Sequence, residues 1–236
     1  LKTLPIHTCA FSNDERLLLL TSEPPARFKP CGDIFVYSLA DGRLRRLTET
    51  DRPQYHPAFS PDGSRIGFAR DNDLWFVDIA TGTEIRLTHD GSETLYNGRC
   101  GWVYEEELGL ARSWAWSPDG GAIAFLQQDE AEVPEVLLSQ YDKPHADPRR
   151  TRYPKAGDPN PVVRLGFLHL GAEGAEMRWA DLSACVGSEE RYIAHLQWIP
   201  TPPPSHDGVG DAAGAPQLLV QSIPRLQNRL LLLRDR

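Results

Sequence analysis

The sequence predicts an all-β protein, part of a β-propeller with about four blades. Two interleaved repeats and the turn chemistry that joins them carry this prediction. The first repeat is Asp33-Ile34-Phe35-Val36-Tyr37-Ser38-Leu39-Ala40-Asp41-Gly42, followed by Arg46-Leu47-Thr48. It recurs as Asp73-Leu74-Trp75-Phe76-Val77-Asp78-Ile79-Ala80-Thr81-Gly82, followed by Arg86-Leu87-Thr88. Each copy reads as a strand, a tight turn at Asp-Gly or Thr-Gly, and a second strand. The second repeat is Phe59-Ser60-Pro61-Asp62-Gly63 before Ile66-Gly67-Phe68, and Trp116-Ser117-Pro118-Asp119-Gly120 before Ile123-Ala124-Phe125. Pro presets φ and Gly supplies a positive φ, so Ser-Pro-Asp-Gly makes a turn. The aromatic before it packs inward, and the apolar run after it is a buried strand. Phe11-Ser12-Asn13-Asp14-Glu15 is a weaker copy. Leu196-Gln197-Trp198-Ile199-Pro200 opens a fourth, its hairpin lengthened by the Pro/Gly-rich stretch 201–216.

Four strands in each unit of roughly 40–50 residues is the arithmetic of a propeller blade. The expected units are residues 1–48, 49–96, 110–170 and 171–236, with an insertion at 97–110 that carries a short helix near 102–110. The Ser-Pro-Asp-Gly units resemble the WD40-like repeats of TolB-type propellers. A closed propeller has about 4–8 blades, so these units read as an arc of a larger ring. Such an arc has unpaired strand edges, which invite pairing with another chain; a homodimer through them is one expectation.

Composition narrows the function classes. Of 236 residues, 40% are hydrophobic and 25% charged, which matches an ordinary globular core. The net charge of −8 argues against nucleic acid as the main partner, because phosphate binding needs clustered Lys and Arg. The longest apolar runs, Leu17–Leu20 and Leu230–Leu233, are strand-sized and too short to span a bilayer. No leader sequence is visible, and both ends read as cut from something longer. The four cysteines form no C-x-x-C pair, so zinc is not expected, and no cofactor is called for. Their spacing accommodates either a Cys31–Cys100 disulfide or buried free thiols, and the compartment is left open. Asp62 and Asp119 belong to turns rather than to a metal site.

The most informative stretch is Asn97-Gly98-Arg99-Cys100-Gly101-Trp102-Val103-Tyr104-Glu105-Glu106-Glu107. Acidic runs usually lie in aromatic-poor, solvated segments. Here Trp102 and Tyr104 can hold the run in place by burial. A fixed pair of carboxylates suits capture of a cation such as a free amino terminus. The plainer alternative is a solvated acidic loop or a helix start that favours negative charge.

This run, with Trp116–Gly120, Asp129-Glu130-Ala131-Glu132-Val133-Pro134, Tyr153-Pro154-Lys155-Ala156-Gly157, Asn160-Pro161 and the strand pair from Leu218 to Leu230, resembles the dipeptidyl peptidase IV-like enzymes. The resemblance covers residues from about Arg27 to the end of the chain. It implies a serine exopeptidase that removes N-terminal dipeptides with proline or alanine second, built from an eight-bladed propeller and a C-terminal α/β-hydrolase domain. It implies that Glu106 and Glu107 bind the substrate's α-ammonium group, and it matches Arg27 to a loop arginine that contacts the substrate carbonyl. Trp102 and Tyr104 then frame the loop. Asp129, Glu130 and Glu132 read as structural, as does Glu105. Peptides with a free N-terminus and the hydrolase domain of the same protein are the implied partners. No Gly-x-Ser-x-Gly nucleophile elbow occurs in these residues, so no catalytic residue is assigned, and the chain alone is expected to be inactive. Two other functions fit the repeats: a non-catalytic relative that binds proteins, and a TolB-like scaffold propeller without peptide-end recognition.

Overall fold

The turn sequences fold as closed local units. In each copy the serine hydroxyl donates to the aspartate two residues on, and accepts from the backbone N–H that starts the next strand. The pairs are Ser12–Asp14 and Leu17, Ser60–Asp62 and Arg65, and Ser117–Asp119 and Ala122. These short hydrogen bonds hold the Asp14, Asp62 and Asp119 carboxyls below their usual range, partly offset by desolvation. Gly63 and Gly120 occupy the left-handed region at φ 71° and 70°; in the weaker copy Glu15 takes it at φ 57°.

The computed structural model describes residues 5–22, 31–140, 147–171, 174–182, 190–199 and 216–235. Strands β1 (Ile6–Phe11), β2 (Leu17–Ser22), β3 (Ile34–Ser38) and β4 (Leu44–Arg46) form one antiparallel sheet in that order. Strands β5 (Gln54–Phe59), β6 (Arg65–Arg70), β7 (Asp73–Asp78) and β8 (Glu84–Arg86) form the next. The third sheet takes β9 (Leu95–Asn97), β10 (Trp114–Trp116) and β11 (Ala122–Asp129). The chain then leaves it for a separate hairpin of β12 (Glu135–Gln140) and β13 (Asp147–Arg152), and returns as β14 (Val162–Gly171) and β15 (Gly174–Trp179). The fourth sheet is β16 (Arg191–Ile199), β17 (Gln217–Pro224) and β18 (Leu231–Asp235).

The core lies in the seams between successive sheets. Leu19, Ile34 and Val36 of the first sheet meet Ile66, Phe68 and Val77 of the second. Leu74 and Phe76 meet Trp114, Trp116, Ile123 and Phe125 of the third. Ala124, Leu126 and Phe167 meet Ile193, Leu218 and Val220 of the fourth. Alternate residues of β11 therefore serve opposite seams. That is why Ala122–Gln128 is buried throughout rather than alternating, and why the sequence from Ala122 to Leu126 is a continuous apolar run. Sheets stacked face to face in chain order, each one a meander, make the propeller arc that the repeats predict.

Several boundaries move. β15 completes the third sheet, so that blade runs on to Trp179, past the limit expected at residue 170, and the fourth begins at Arg191. β9 belongs to the third sheet, not the second. The hairpin β12–β13 has no counterpart in the repeats. Where four strands per unit are expected, the fourth sheet has three among the described residues. The stem of its lengthened hairpin is present, with Ile199 opposite Gln217; residues 200–215 lie outside the described residues. Cys31 and Cys100 are buried free thiols, so the disulfide alternative does not hold; burial pushes each thiol up to about 12. Among the described residues no helix is long and apolar enough to cross a membrane.

Candidate functional site

The third sheet's first strand is broken, and the acidic run lies in the break. β9 pairs with Gln127–Asp129 of β11 and β10 pairs with Ile123–Phe125, both antiparallel. β14 fills the other edge of β11, so β9 and β10 are two halves of one strand. Residues 98–113 loop out between them, opposite Leu126. The ladder survives the interruption: Gly98 N donates to Leu126 O at 3.0 Å, and Leu126 N donates to Ser113 O at 2.8 Å. An Arg99–Arg112 bridge closes the neck of the loop. The first strands of the other sheets carry register shifts near the equivalent place, at Ile6/Thr8, Tyr55/Ala58 and Ile193/His195. The insertion is a β-bulge grown into a loop.

Within the loop, Val103–Glu107 forms the short helix expected near 102–110, as a single π-helical turn. Leu110 N reaches back to Tyr104 O at 2.9 Å and closes its end. The two framing aromatics fix it. Tyr104 is 1% exposed, and its hydroxyl accepts the backbone N–H of Ile193 at 3.1 Å. β16 is the edge strand of its sheet, and the Ile193 N–H on its open side goes to this hydroxyl. Burial pushes the Tyr104 hydroxyl far up. Trp102 packs on the ring of Tyr153 with centroids 4.1 Å apart. The Tyr153–Gly157 motif thus belongs to the loop's surroundings as well as to the entry into β14.

Beside the turn lies a cavity of about 660 Å³. Glu105 and Glu106 line it, as do Glu130, Arg99, Trp102 and Tyr153; Arg149, Arg150 and Arg152 of β13 form part of its wall. Glu105 is half-buried, while Glu106 and Glu107 are exposed; Glu107 is not among the residues that line the cavity. Arg27 lies outside the described residues. The structure therefore brings Glu106, Trp102 and Tyr104 together at one place and sets Glu107 at its margin.

Sequence reading gives no site role to the rest of this wall. The Arg99 guanidinium sits between the rings of Tyr55 and Tyr96, at 4.4 and 4.8 Å, and donates to Asn72 Oδ1 at 3.0 Å. Glu130 is 3% exposed; burial raises its carboxyl's pKa, against the pull of Tyr96, Arg99 and Arg152. The Tyr96 hydroxyl is pushed up to about 12, by burial first and by Glu130 next. Asn97 and Gln127 tie the base of the loop to Asp73 and Asp90 through hydrogen bonds of 2.8–3.1 Å. Asn97, Arg99 and Glu130 lie in motifs that carry the family resemblance and Asp73 in the repeat, whereas Tyr55, Asn72 and Gln127 carry no sequence signal of a site. Among the described residues, no group of His, Cys, Asp and Glu is arranged to hold a metal ion.

A cavity with carboxylates on a fixed turn and arginines across from them can bind a small cation on one side and orient a polar chain on the other. Comparison with known proteins gives that chemistry a context. The family model for the dipeptidyl peptidase IV (DPP IV) N-terminal region matches residues 12–233. A probable dipeptidyl-aminopeptidase B of Talaromyces marneffei is 36% identical over 154 residues, which is 60% of this chain and 17% of that protein. The prolyl endopeptidase FAP of Bos taurus is 30% identical over 183 residues, 73% of this chain and 23% of that one. The crystal structure of Porphyromonas gingivalis dipeptidyl peptidase 4 is similar with a TM-score of 0.81 at 26% identity, covering 98% of this chain and 31% of that chain. The chain thus spans less than a third of the length of each of these proteins.

Proposed function

Because the chain belongs to the dipeptidyl peptidase IV N-terminal family, we propose that it is the substrate-recognition propeller of a serine exopeptidase that removes N-terminal dipeptides with proline or alanine second. Glu106 and Glu107 hold the substrate's free α-ammonium group. One observation carries this reading: the acidic turn is fixed on both sides by Tyr104 and Trp102, with Glu106 facing a cavity large enough for a peptide end. Each charge-assisted hydrogen bond from an ammonium to such a carboxylate contributes about 1.5–3 kcal/mol. A substrate without a free amine brings no cation to the two carboxylates and forgoes these bonds, so the pair selects for peptide ends. It acts as a ruler, fixing where the peptide ends and which bond reaches the nucleophile. The nucleophile comes from a C-terminal α/β-hydrolase domain of the same protein. Arg27 is assigned to the substrate carbonyl on sequence grounds alone. Pairing with a second copy through open strand edges completes the reading; a monodisperse monomer in sedimentation would count against it.

The test is Glu106→Gln in the full-length protein, assayed with alanyl-prolyl-p-nitroanilide. Loss of one charge-assisted bond is expected to reduce kcat/KM about 10- to 100-fold. Unchanged kcat/KM would sink the amine-binding role.

A further inference from the structure

One loop reaches both aromatics that frame the acidic turn. It runs over residues 153–161, between β13 and β14. At its start, Tyr153 carries the Trp102 ring. Near its end, Asn160 Nδ2 donates to the Tyr192 hydroxyl at 2.8 Å. The Tyr192 ring in turn meets Tyr104 edge-on, with centroids 6.3 Å apart. Adjacent residues of β16 therefore hold Tyr104 at either end, Ile193 N–H at its hydroxyl and Tyr192 at its ring.

The loop is itself tied down. Tyr153 N donates to Pro134 O at 3.0 Å. Lys155 and Asp158 close a turn, through Lys155 N to Asp158 Oδ2 and Asp158 N to Lys155 O, both at 2.9 Å. Arg225, in the turn between β17 and β18, donates from Nη2 to Asp158 O at 2.7 Å. Glu190 fixes that guanidinium from the other side, accepting from Nη1 at 2.8 and 3.0 Å. The loop thus links the fourth sheet to the acidic turn.

We infer that Asn160 and Tyr192 are positioning residues for capture of the peptide end, setting the tilt of the acidic turn through the ring of Tyr104. Neither is among the residues that line the cavity beside the turn, so they act through Tyr104 and not on a ligand. Trp102 on Tyr153 fixes the turn at one side only, and a turn held at one side can rock about that contact. Tyr192 supplies the second hold, and the hydrogen bond from Asn160 keeps its ring from turning away. A binding group misplaced by about 1 Å loses much of its effect, so such a hold bears on binding.

The inference rests on the amine-binding reading, and the experiment separates the two. In the full-length protein, KM and kcat for alanyl-prolyl-p-nitroanilide are measured for wild type, Glu106→Gln, Asn160→Ala, Tyr192→Phe, the Asn160→Ala/Tyr192→Phe pair and Arg225→Met, well below the unfolding temperature of each. Asn160→Ala and Tyr192→Phe remove opposite ends of one hydrogen bond. Each is expected to raise KM roughly two- to tenfold with kcat kept, the scale of one neutral hydrogen bond. The double variant is expected to match the singles, because the second change finds the bond already gone. A role in stability alone would lower the melting temperature and leave KM unchanged. Should neither single variant fold, Arg225→Met, which releases the loop at Asp158 O, takes their place: a raised KM supports the inference and a normal one overturns it. A normal KM in Asn160→Ala or Tyr192→Phe, or a double variant whose KM rise is the product of the two, overturns the inference, while a reduced kcat/KM in Glu106→Gln leaves amine binding standing. A Glu106→Gln protein with normal kcat/KM overturns amine binding itself, and this inference with it.

Discussion

The Trp198 indole N–H donates to the backbone carbonyl of Ala115, 3.1 Å away in the preceding sheet. Trp116 does the same one blade earlier, to Ala58 O at 3.4 Å. Trp116 ends the first strand of its sheet as Phe11 and Phe59 end theirs, and Trp198 stands one residue before the end of β16. Where that aromatic is tryptophan, the seam gains a hydrogen bond on top of its apolar contact. Trp198→Phe should keep the ring's packing and lose the bond, at a cost of about 1 kcal/mol. Urea unfolding of the chain would measure it, and an unchanged midpoint would show that the bond contributes nothing net.

Tyr104→Phe tests the anchor of the acidic turn. The substitution removes one oxygen and leaves the Ile193 N–H buried without its acceptor. A loss of about 1–3 kcal/mol is expected. Hydrogen exchange should show the Ile193 amide losing protection in step; continued protection at that amide would mean another group accepts it.

The repeat makes a matched pair of aspartates. Asp33 binds Arg46 and Thr50 N with 15% of its side chain exposed. Asp73, its counterpart, is fully buried and binds Arg86, Thr88 Oγ1, Gly91 N and Asn97 Nδ2. Asp33→Asn should therefore cost about 1 kcal/mol or less, in line with a partly solvated pair. Asp73→Asn should cost about 3 kcal/mol, because it unbalances a buried charge network. Equal losses in thermal unfolding would contradict this ordering.

Stability should depend on pH through Glu130. Burial raises its native pKa above the ordinary value of 4.5, despite the opposing pull of Tyr96, Arg99 and Arg152. The native state then holds this proton more tightly than the unfolded state does. The resulting stabilisation is complete below the unfolded pKa and is lost as pH rises through the native one. Glu130→Gln removes that dependence, so its unfolding midpoint should gain on wild type as pH rises from about 4 to neutrality. A variant that loses ground over that range would assign Glu130 a net stabilising charge instead.

The turns and the paired hairpins were legible because their determinants are local. Ser60, Asp62 and Arg65 close their hydrogen bonds within five residues, and the Asp33 and Asp73 repeats encode the same arrangement twice. The acidic turn was legible as a unit for the same reason, since Trp102, Tyr104 and the glutamates are sequence neighbours. What surrounds it was not. Asn97 faces Gln127 across a strand pair, Tyr104 meets Ile193, and Glu130 presses on Gly101; each contact joins distant segments. The hairpin β12–β13 escaped too, because Asp147-Pro148-Arg149-Arg150 shows neither apolar alternation nor β-branched enrichment.

The break opposite Leu126 has a consequence for how such a protein changes over time. Both backbone groups of Leu126 stay paired, to Gly98 and Ser113, although the chain between those residues wanders off and returns. The ladder closes across the gap, while the threaded loop adds Cys100, Val103 and Tyr104 to the seam with the fourth sheet. The kinked first strands of the neighbouring blades, at Tyr55/Ala58 and Ile193/His195, are gaps of the same kind not yet opened. A peptide grafted between Tyr55 and Ala58 should keep the β6 ladder while loosening what those two residues hold, the Arg99 guanidinium on the Tyr55 ring and the Trp116 indole on Ala58 O.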